Sequence, residues 1–186
     1  MHAASFFSPA QIFGYVALIF GVAAFLQKRD QRLKALNAAE SVAYVAHFLL
    51  LGNLPASGSA LVAALRNLTS LKFRSPWLIA VFMTFTIAVG VAFTKNATGW
   101  FPVVASSLAT VAIFRLSGIA MRMTLLVCTV LWLANNILSG SIGGTVLEAI
   151  IAVANLTTIC RLVAEHLRTH QAGHVGTPPQ ALPVRT

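Results

Sequence analysis

An all-α integral membrane fold is what the sequence predicts: seven transmembrane helices, arranged as two parallel three-helix repeats joined by a single linker helix. Three observations carry that expectation. The chain of 186 residues is 58% hydrophobic and 9% charged, with a mean hydropathy of +0.81, which is more apolar surface than one water-soluble core hides. Its apolar runs, interrupted by charges or by Gly, Pro and Asn, number seven, and each approaches the roughly 20 residues that cross a bilayer. Residues 11–73 also align without a gap on residues 99–161.

Pro9 to Gln27 opens the series and is nearly all apolar. Met1 to Gln11 holds no basic residue, and Lys28, Arg29, Arg32 and Lys34 follow the segment, so it reads as a retained span and not a cleaved signal peptide. Ala35 to Gly52 sets Glu40, Tyr44 and His47 at spacings of four and three, which is one helix face. Ser57 to Phe73 is short and carries Arg66, Asn67 and Ser70, whereas Trp77 to Thr94 is apolar. Gly99 to Phe114 contributes Ser106, Ser107 and Thr110. Met123 to Ser139 repeats the register of the second segment with Cys128, Trp132 and Asn135. Ser141 to Val163 bears Glu148, Asn155 and Thr158 on or beside one stripe. Ala164 to Thr186 turns polar and ends in "GTPPQALPVRT", the composition of a disordered tail.

Charge fixes the expected orientation. Lys28 to Lys34, Lys72 and Arg74, Arg115 and Arg122, and Arg161, Arg168 and Arg185 fall on one side; Lys95 alone falls on the other. The positive-inside rule then puts the N-terminus outside and the C-terminal tail in the cytoplasm. The net charge of +9 follows from topology and contact with anionic lipid, so nucleic acid is not an expected partner. Cys128 and Cys160 read as small buried thiols. His166, His170 and His174 would share a helix face, but Gly173 interrupts it and no carboxylate or thiolate completes a ligand set, so neither metal nor cofactor is expected.

In the 88-residue shift, 12 of the 63 pairs are identical, where composition alone gives roughly five. They include Phe13 with Phe101, Val16 with Val104, Ala17 with Ala105, Ala24 with Ala112, Val42 with Val130, Ala46 with Ala134, Gly52 with Gly140, and Asn67-Leu68-Thr69 with Asn155-Leu156-Thr157. Tyr44 with Trp132 and His47 with Asn135 match in kind. Asn-x-Thr is a glycosylation acceptor pattern, but both copies lie where a bilayer buries them. The units are therefore 9–73 and 99–163, with 77–94 as the unmatched linker. One helix between them restores the starting side, so both run in the same sense, and a binding site is expected at their interface near the midplane.

This plan, with its outside N-terminus and paired Asn in the third and seventh helices, resembles the SWEET and SemiSWEET sugar transporters and the PnuC vitamin transporters. The stretch "FGVAAFLQKRDQRLKALNAAESVAYVAHFLLLGN" (Phe20 to Asn53) resembles more closely the YgjV-type bacterial inner membrane proteins. The latter resemblance implies residence in the bacterial inner membrane. The resemblance to SWEETs implies that Asn67 and Asn155 line a substrate cavity. SWEETs also carry hinge prolines within helices; here only Pro102 lies near such a place, Pro9 and Pro55 stand at helix ends, and Gly14, Gly21 and Gly90 are the remaining loosening points.

Tyr44, Asn67, Trp132 and Asn155 fall nearest the expected midplane and are the substrate-binding candidates: Asn offers donors and acceptors without charge, and the aromatics offer a flat face. The plainer role for such Asn residues is interhelical hydrogen bonding. Glu40 and Arg66 are expected to pair toward the cytoplasm, because either charge alone in hydrocarbon is expensive. Glu148 and His47 form the corresponding outer pair, whose protonation could couple to transport. These four are the gate candidates; against them stand a snorkelling Arg66 and a neutral, hydrogen-bonded His47. The expected function is a small-solute transporter for a neutral or weakly polar metabolite, or alternatively a non-transporting receptor or sensor on the same fold, as the KDEL receptor is. An enzyme is not expected, since the spans lack paired Asp, HExxH or Ser-Lys arrangements, and no charge ring or carbonyl filter marks a channel. The expected partners are a small solute and the lipid bilayer; a second copy is not required.

Overall fold

The computed structural model describes residues 6–25, 30–73, 75–116 and 118–175. Among them are seven α-helices: α1 (Pro9–Phe25), α2 (Asp30–Leu50), α3 (Leu54–Thr69), α4 (Trp77–Phe93), α5 (Trp100–Arg115), α6 (Gly118–Leu138) and α7 (Ile142–Val175). One turn of 3-10 helix, Ala97–Gly99, leads into α5. Three stretches are long and apolar enough to cross a membrane, Ala97–Arg115, Ile119–Leu138 and Ile142–Ala164, and Pro9–Ala24 and Trp77–Phe93 are shorter apolar helices. Large apolar side chains such as Ile19, Phe85, Val91, Val130 and Val153 point out of the bundle. That is the exterior of an integral membrane protein, where lipid supplies the missing contacts.

The turns between α2 and α3 and between α6 and α7 are built alike. Gly52 and Gly140 have φ of 74° and 68°, the left-handed conformation that ends a helix most cheaply with glycine. Around them Leu51 N–H donates to His47 O, Gly52 to Leu49 O and Asn53 to Phe48 O; 88 residues on, Ser139 donates to Asn135 O, Gly140 to Ile137 O and Ser141 to Asn136 O. The next helix is then capped by a side chain. Asn53 Oδ1 accepts from Ala56 N–H, and Ser141 Oγ accepts from Gly144 N–H, each filling one of the orphan donors of a helix start. Gln11 of α1 clasps the second turn, donating to Gly140 O at 2.7 Å and accepting from Ile142 N–H at 3.1 Å.

Consecutive helices pack on one another within α1–α2–α3 and within α5–α6–α7. The principal remaining contacts, α3 with α5 and α7 with α1, close a ring of six, and α4 packs against α3 and α5. Exchanging α1 for α5, α2 for α6 and α3 for α7 leaves the ring's neighbour pattern unchanged. Small residues let the backbones approach: Ala17, Ala24, Ala105 and Ala112 are fully buried. A Cβ on Gly143 would lie 2.5 Å from Gly14 O across the α1–α7 seam.

Several boundaries differ from the sequence expectation, among them the start of α6, at Gly118 and not Met123. α2 begins at Asp30, five residues before Ala35, because its charged first turns are helical too. α3 begins at Leu54 because Asn53 caps it and Pro55 occupies its first turn, and it ends at Thr69, four residues before Phe73. α7 runs to Val175, so residues 164–175, expected in a disordered tail, are helical instead. Half of them are good helix formers, and a single Gly173 costs only about 1 kcal/mol against Ala. Residues 176–186, together with Lys28, Arg29 and Arg74, lie outside the described residues.

Candidate functional site

The centre of the ring is closed by aromatic rings from α2 and α6. Tyr44 and Trp132, the pair related by the 88-residue shift, stack with centroids 6.4 Å apart and planes 12° from parallel. Phe48, fully buried, stacks on both, at 5.3 Å from Tyr44 and 5.8 Å from Trp132. Tyr44 and Phe48 are one helical turn apart on α2, so a single face supplies both rings. Leu147 of α7 and the small residues Ala17, Ala43, Ala56 and Ala60 pack around them.

At the end of the bundle that carries Gly52 and Gly140, a cavity of about 410 Å³ opens. It is lined by the α2–α3 turn at Asn53 and Pro55, the α4–α5 connection at Lys95 and Asn96, and α6 at Asn135 and Ser139. Asn53 Nδ2 donates to Asn135 Oδ1 at 2.9 Å and to Ser139 Oγ at 2.7 Å. Asn135 is 3% exposed and its Nδ2 has no protein partner. A buried amide N–H without an acceptor is expensive. An acceptor oxygen on a molecule entering the cavity would satisfy it. Asn96 Oδ1 accepts from Gly99 N–H and Thr98 Oγ1, which shapes the opposite wall. Lys95 is the cavity's one charged side chain among the described residues.

The structure brings some expected site residues together and separates others. Tyr44 and Trp132 meet at the centre. Asn67 and Asn155 are both buried, yet neither lines the cavity. Each stands 13 residues into its helix, about 20 Å from the helix start, and Asn67 is in the last turn of α3. Asn155 Oδ1 accepts from Arg122 Nη1 at 3.2 Å.

Two expected pairs are not formed. Arg66 does not meet Glu40; its Nη1 donates to Ser106 O at 3.1 Å and to Thr110 Oγ1 at 2.8 Å. The α3–α5 contact turns its guanidinium toward polar oxygens of α5. His47 does not meet Glu148 either. Its Nδ1 lies 2.6 Å from Ala10 O and its Nε2 2.7 Å from Ser141 Oγ, so it latches α1 and the α6–α7 turn to α2. What sequence spacing could not supply was the azimuth of each helix: His47 faces α1, where Gly14 leaves room for its ring.

Glu40 and Glu148 approach each other instead. Glu148 is buried, lies beside Thr129 of α6 and interacts electrostatically with Glu40. The Glu40 carboxyl carbon would be 3.3 Å from a Cβ on Gly21 of α1, so that glycine makes room for it. Tyr44 lies within electrostatic reach of both carboxyls, and its hydroxyl has no hydrogen-bond partner. The site residues missed from sequence are Asn53, Ser139 and Asn96. Asn53-Leu54-Pro55 carried a signal, a cap followed by a first-turn proline, but it fell between the expected segments 35–52 and 57–73.

The family described as bacterial inner membrane protein, Imp-YgjV, matches residues 8–166. The inner membrane protein YgjV of Escherichia coli (strain K12) is 34% identical over 152 residues, covering 82% of this chain and 83% of that protein. No solved structure matches the chain.

Proposed function

The chain belongs to the Imp-YgjV family of bacterial inner membrane proteins, and from that premise we propose that it carries a small neutral or weakly polar solute across the inner membrane. The observation that carries this reading is the cavity at the Gly52/Gly140 end, with the unpartnered Asn135 Nδ2 in its wall and the Tyr44–Phe48–Trp132 layer closing the ring centre. A cavity of a few hundred Å³ suits a metabolite-sized ligand. Uncharged amides select hydroxyl or carbonyl groups, and the aromatic layer is the barrier a solute passes.

On this reading the architecture is the three-plus-one-plus-three plan of the SWEET, SemiSWEET and PnuC transporters, with α4 as the linker. The matched turns at Gly52 and Gly140, and a neighbour pattern unchanged when the two halves are exchanged, support it. The positive-inside rule puts the cavity on the outer face and the end of α7 in the cytoplasm. Asn67 and Asn155 then belong to the inner half of the path, reached once the aromatic layer opens.

One observation favours a receptor or sensor on the same fold. Pro9, Pro55 and Pro102 all sit in the first turns of α1, α3 and α5, where proline fits a helix without kinking it, so none hinges a helix middle. Uptake of labelled sugars, nucleosides and vitamins into liposomes holding the purified protein separates the readings. A transporter gives saturable flux that Asn135→Ala reduces at least tenfold. Thermal stabilisation by a compound that shows no flux means a receptor.

A further inference from the structure

We propose that Glu40, Tyr44 and Glu148 form a proton-binding site inside the helix bundle. The two carboxyls come from α2 and α7: the Glu40 carboxyl and the side chain of Leu147, the residue before Glu148, both meet the Gly21 position of α1, which brings the two acids near enough to interact. A Tyr44 hydroxyl, on a side chain 7% exposed, reaches both electrostatically and has no hydrogen-bond partner. A buried orphan hydroxyl within electrostatic reach of two carboxyls, in a protein interior surrounded by lipid, marks a place where something is bound or exchanged.

Cations on the elements that carry or pack against the pair bond neutral oxygens. On α2, Lys34 Nζ donates to Ser70 O; on α3, the buried Arg66 donates to Ser106 O and Thr110 Oγ1 of α5. On α6, Thr129 and the Cys128 thiol face Glu148. On α2, both ring nitrogens of His47 are occupied by Ala10 O and Ser141 Oγ. On α1, the approach is made by Gly21, and the Tyr15 hydroxyl is turned away to Phe6 O. Two ionised carboxylates so placed repel each other in a low-dielectric medium. A proton added to one carboxylate oxygen makes a neutral acid, lowers the pair's charge from −2 to −1, and leaves an O–H to be shared with the second carboxylate or the phenol. A metal ion is a poorer occupant, since no group of three or more His, Cys, Asp or Glu converges anywhere among the described residues.

The chain has four side-chain carboxyls, Asp30, Glu40, Glu148 and Glu165, so infrared difference spectroscopy can assign each. The full-length protein in liposomes is titrated from acid to alkaline pH in potassium buffer. The expected result is a deuterium-sensitive carbonyl band of a buried carboxylic acid. It disappears as pH rises, is lost in Glu148→Gln or Glu40→Gln, and has its midpoint moved in Tyr44→Phe. Absence of such a band in wild type, its persistence in both glutamine variants, or its loss on replacing potassium by sodium at fixed pH would overturn the proposal. The wild-type spectrum decides even if a variant misfolds. No solute is involved, so a failed transport assay leaves the result standing.

Discussion

Asn53 Nδ2 donates to Asn135 Oδ1 at 2.9 Å, and moving Asn53 forward and Asn135 back by 88 residues gives Ser141 and His47, themselves in contact at 2.7 Å. One polar contact is thus made twice with different chemistry. In the first copy it opens on a cavity; in the second it is fully buried. The first prediction follows from that difference. Ser141→Ala strands a buried imidazole nitrogen and destabilises the protein by about 1–3 kcal/mol. Ser139→Ala, at the cavity wall where water can replace the hydroxyl, costs less than half as much. Thermal unfolding in detergent compares the two.

Trp132→Ala removes the ring that stacks on both Tyr44 and Phe48. If this layer is the barrier, the variant leaks: liposomes release small neutral solutes at least tenfold faster than with wild type. Trp132→Phe keeps a ring and stays near wild type. Equal tightness of Trp132→Ala and wild type places the barrier elsewhere.

Gly143→Ala puts a methyl group 2.5 Å from Gly14 O and 3.0 Å from Tyr15 N. Both are backbone atoms, so no side chain can step aside, and the α1–α7 seam must open. The expected cost is about 3 kcal/mol or more, above ordinary overpacking. Gly52→Ala meets nothing within 4 Å but must hold a φ of +74°, costing about 1–2 kcal/mol. Melting temperatures should rank wild type above Gly52→Ala, and both above Gly143→Ala.

Thr110→Val deletes one acceptor of the Arg66 guanidinium while Ser106 O remains. Because that hydrogen bond is charge-assisted and buried, the loss is about 1.5–3 kcal/mol. Glu40→Gln, which an Arg66–Glu40 pair would make comparably harmful, leaves Arg66 undisturbed. Chemical denaturation of the two variants checks the assignment.

The proposed orientation is tested by cysteine labelling. Lys95→Cys, at the cavity mouth, reacts with a membrane-impermeant maleimide in intact cells, whereas Val175→Cys at the end of α7 reacts only after lysis. Cys128→Ser and Cys160→Ser remove the background thiols. The reverse pattern inverts the topology.

Helix number and class were legible because lipid exposure forces apolar composition on each span, and the α2–α3 and α6–α7 turns were legible through Gly52 and Gly140. That Tyr44 and Trp132 share a register could be read from the 88-residue shift; that their rings stack could not. The polar pairing could not. Spacing along α2 and α3 puts Glu40 and Arg66 on buried faces but leaves open which neighbour each face meets. The facing of α3 toward α5 decided between Glu40 and Thr110 as the partner of Arg66. Asn53 was hidden for another reason: a capping residue in a turn carries no periodic signal, so its second amide function, toward α6, shows only in three dimensions.

Gln11 holds Gly140 and Ile142 across 129 and 131 residues of chain. During synthesis α1 is made first and the turn it grips is made after six helices have emerged. Until then a side-chain amide in α1 has no partner, and α1 has only α2 to lean on. The ring therefore closes last at the seam between its oldest and youngest helices. A nascent chain broken off before Ile142 would keep that seam open, with a polar amide and the backbone of Gly14 uncovered in the membrane, where quality-control proteases could recognise it.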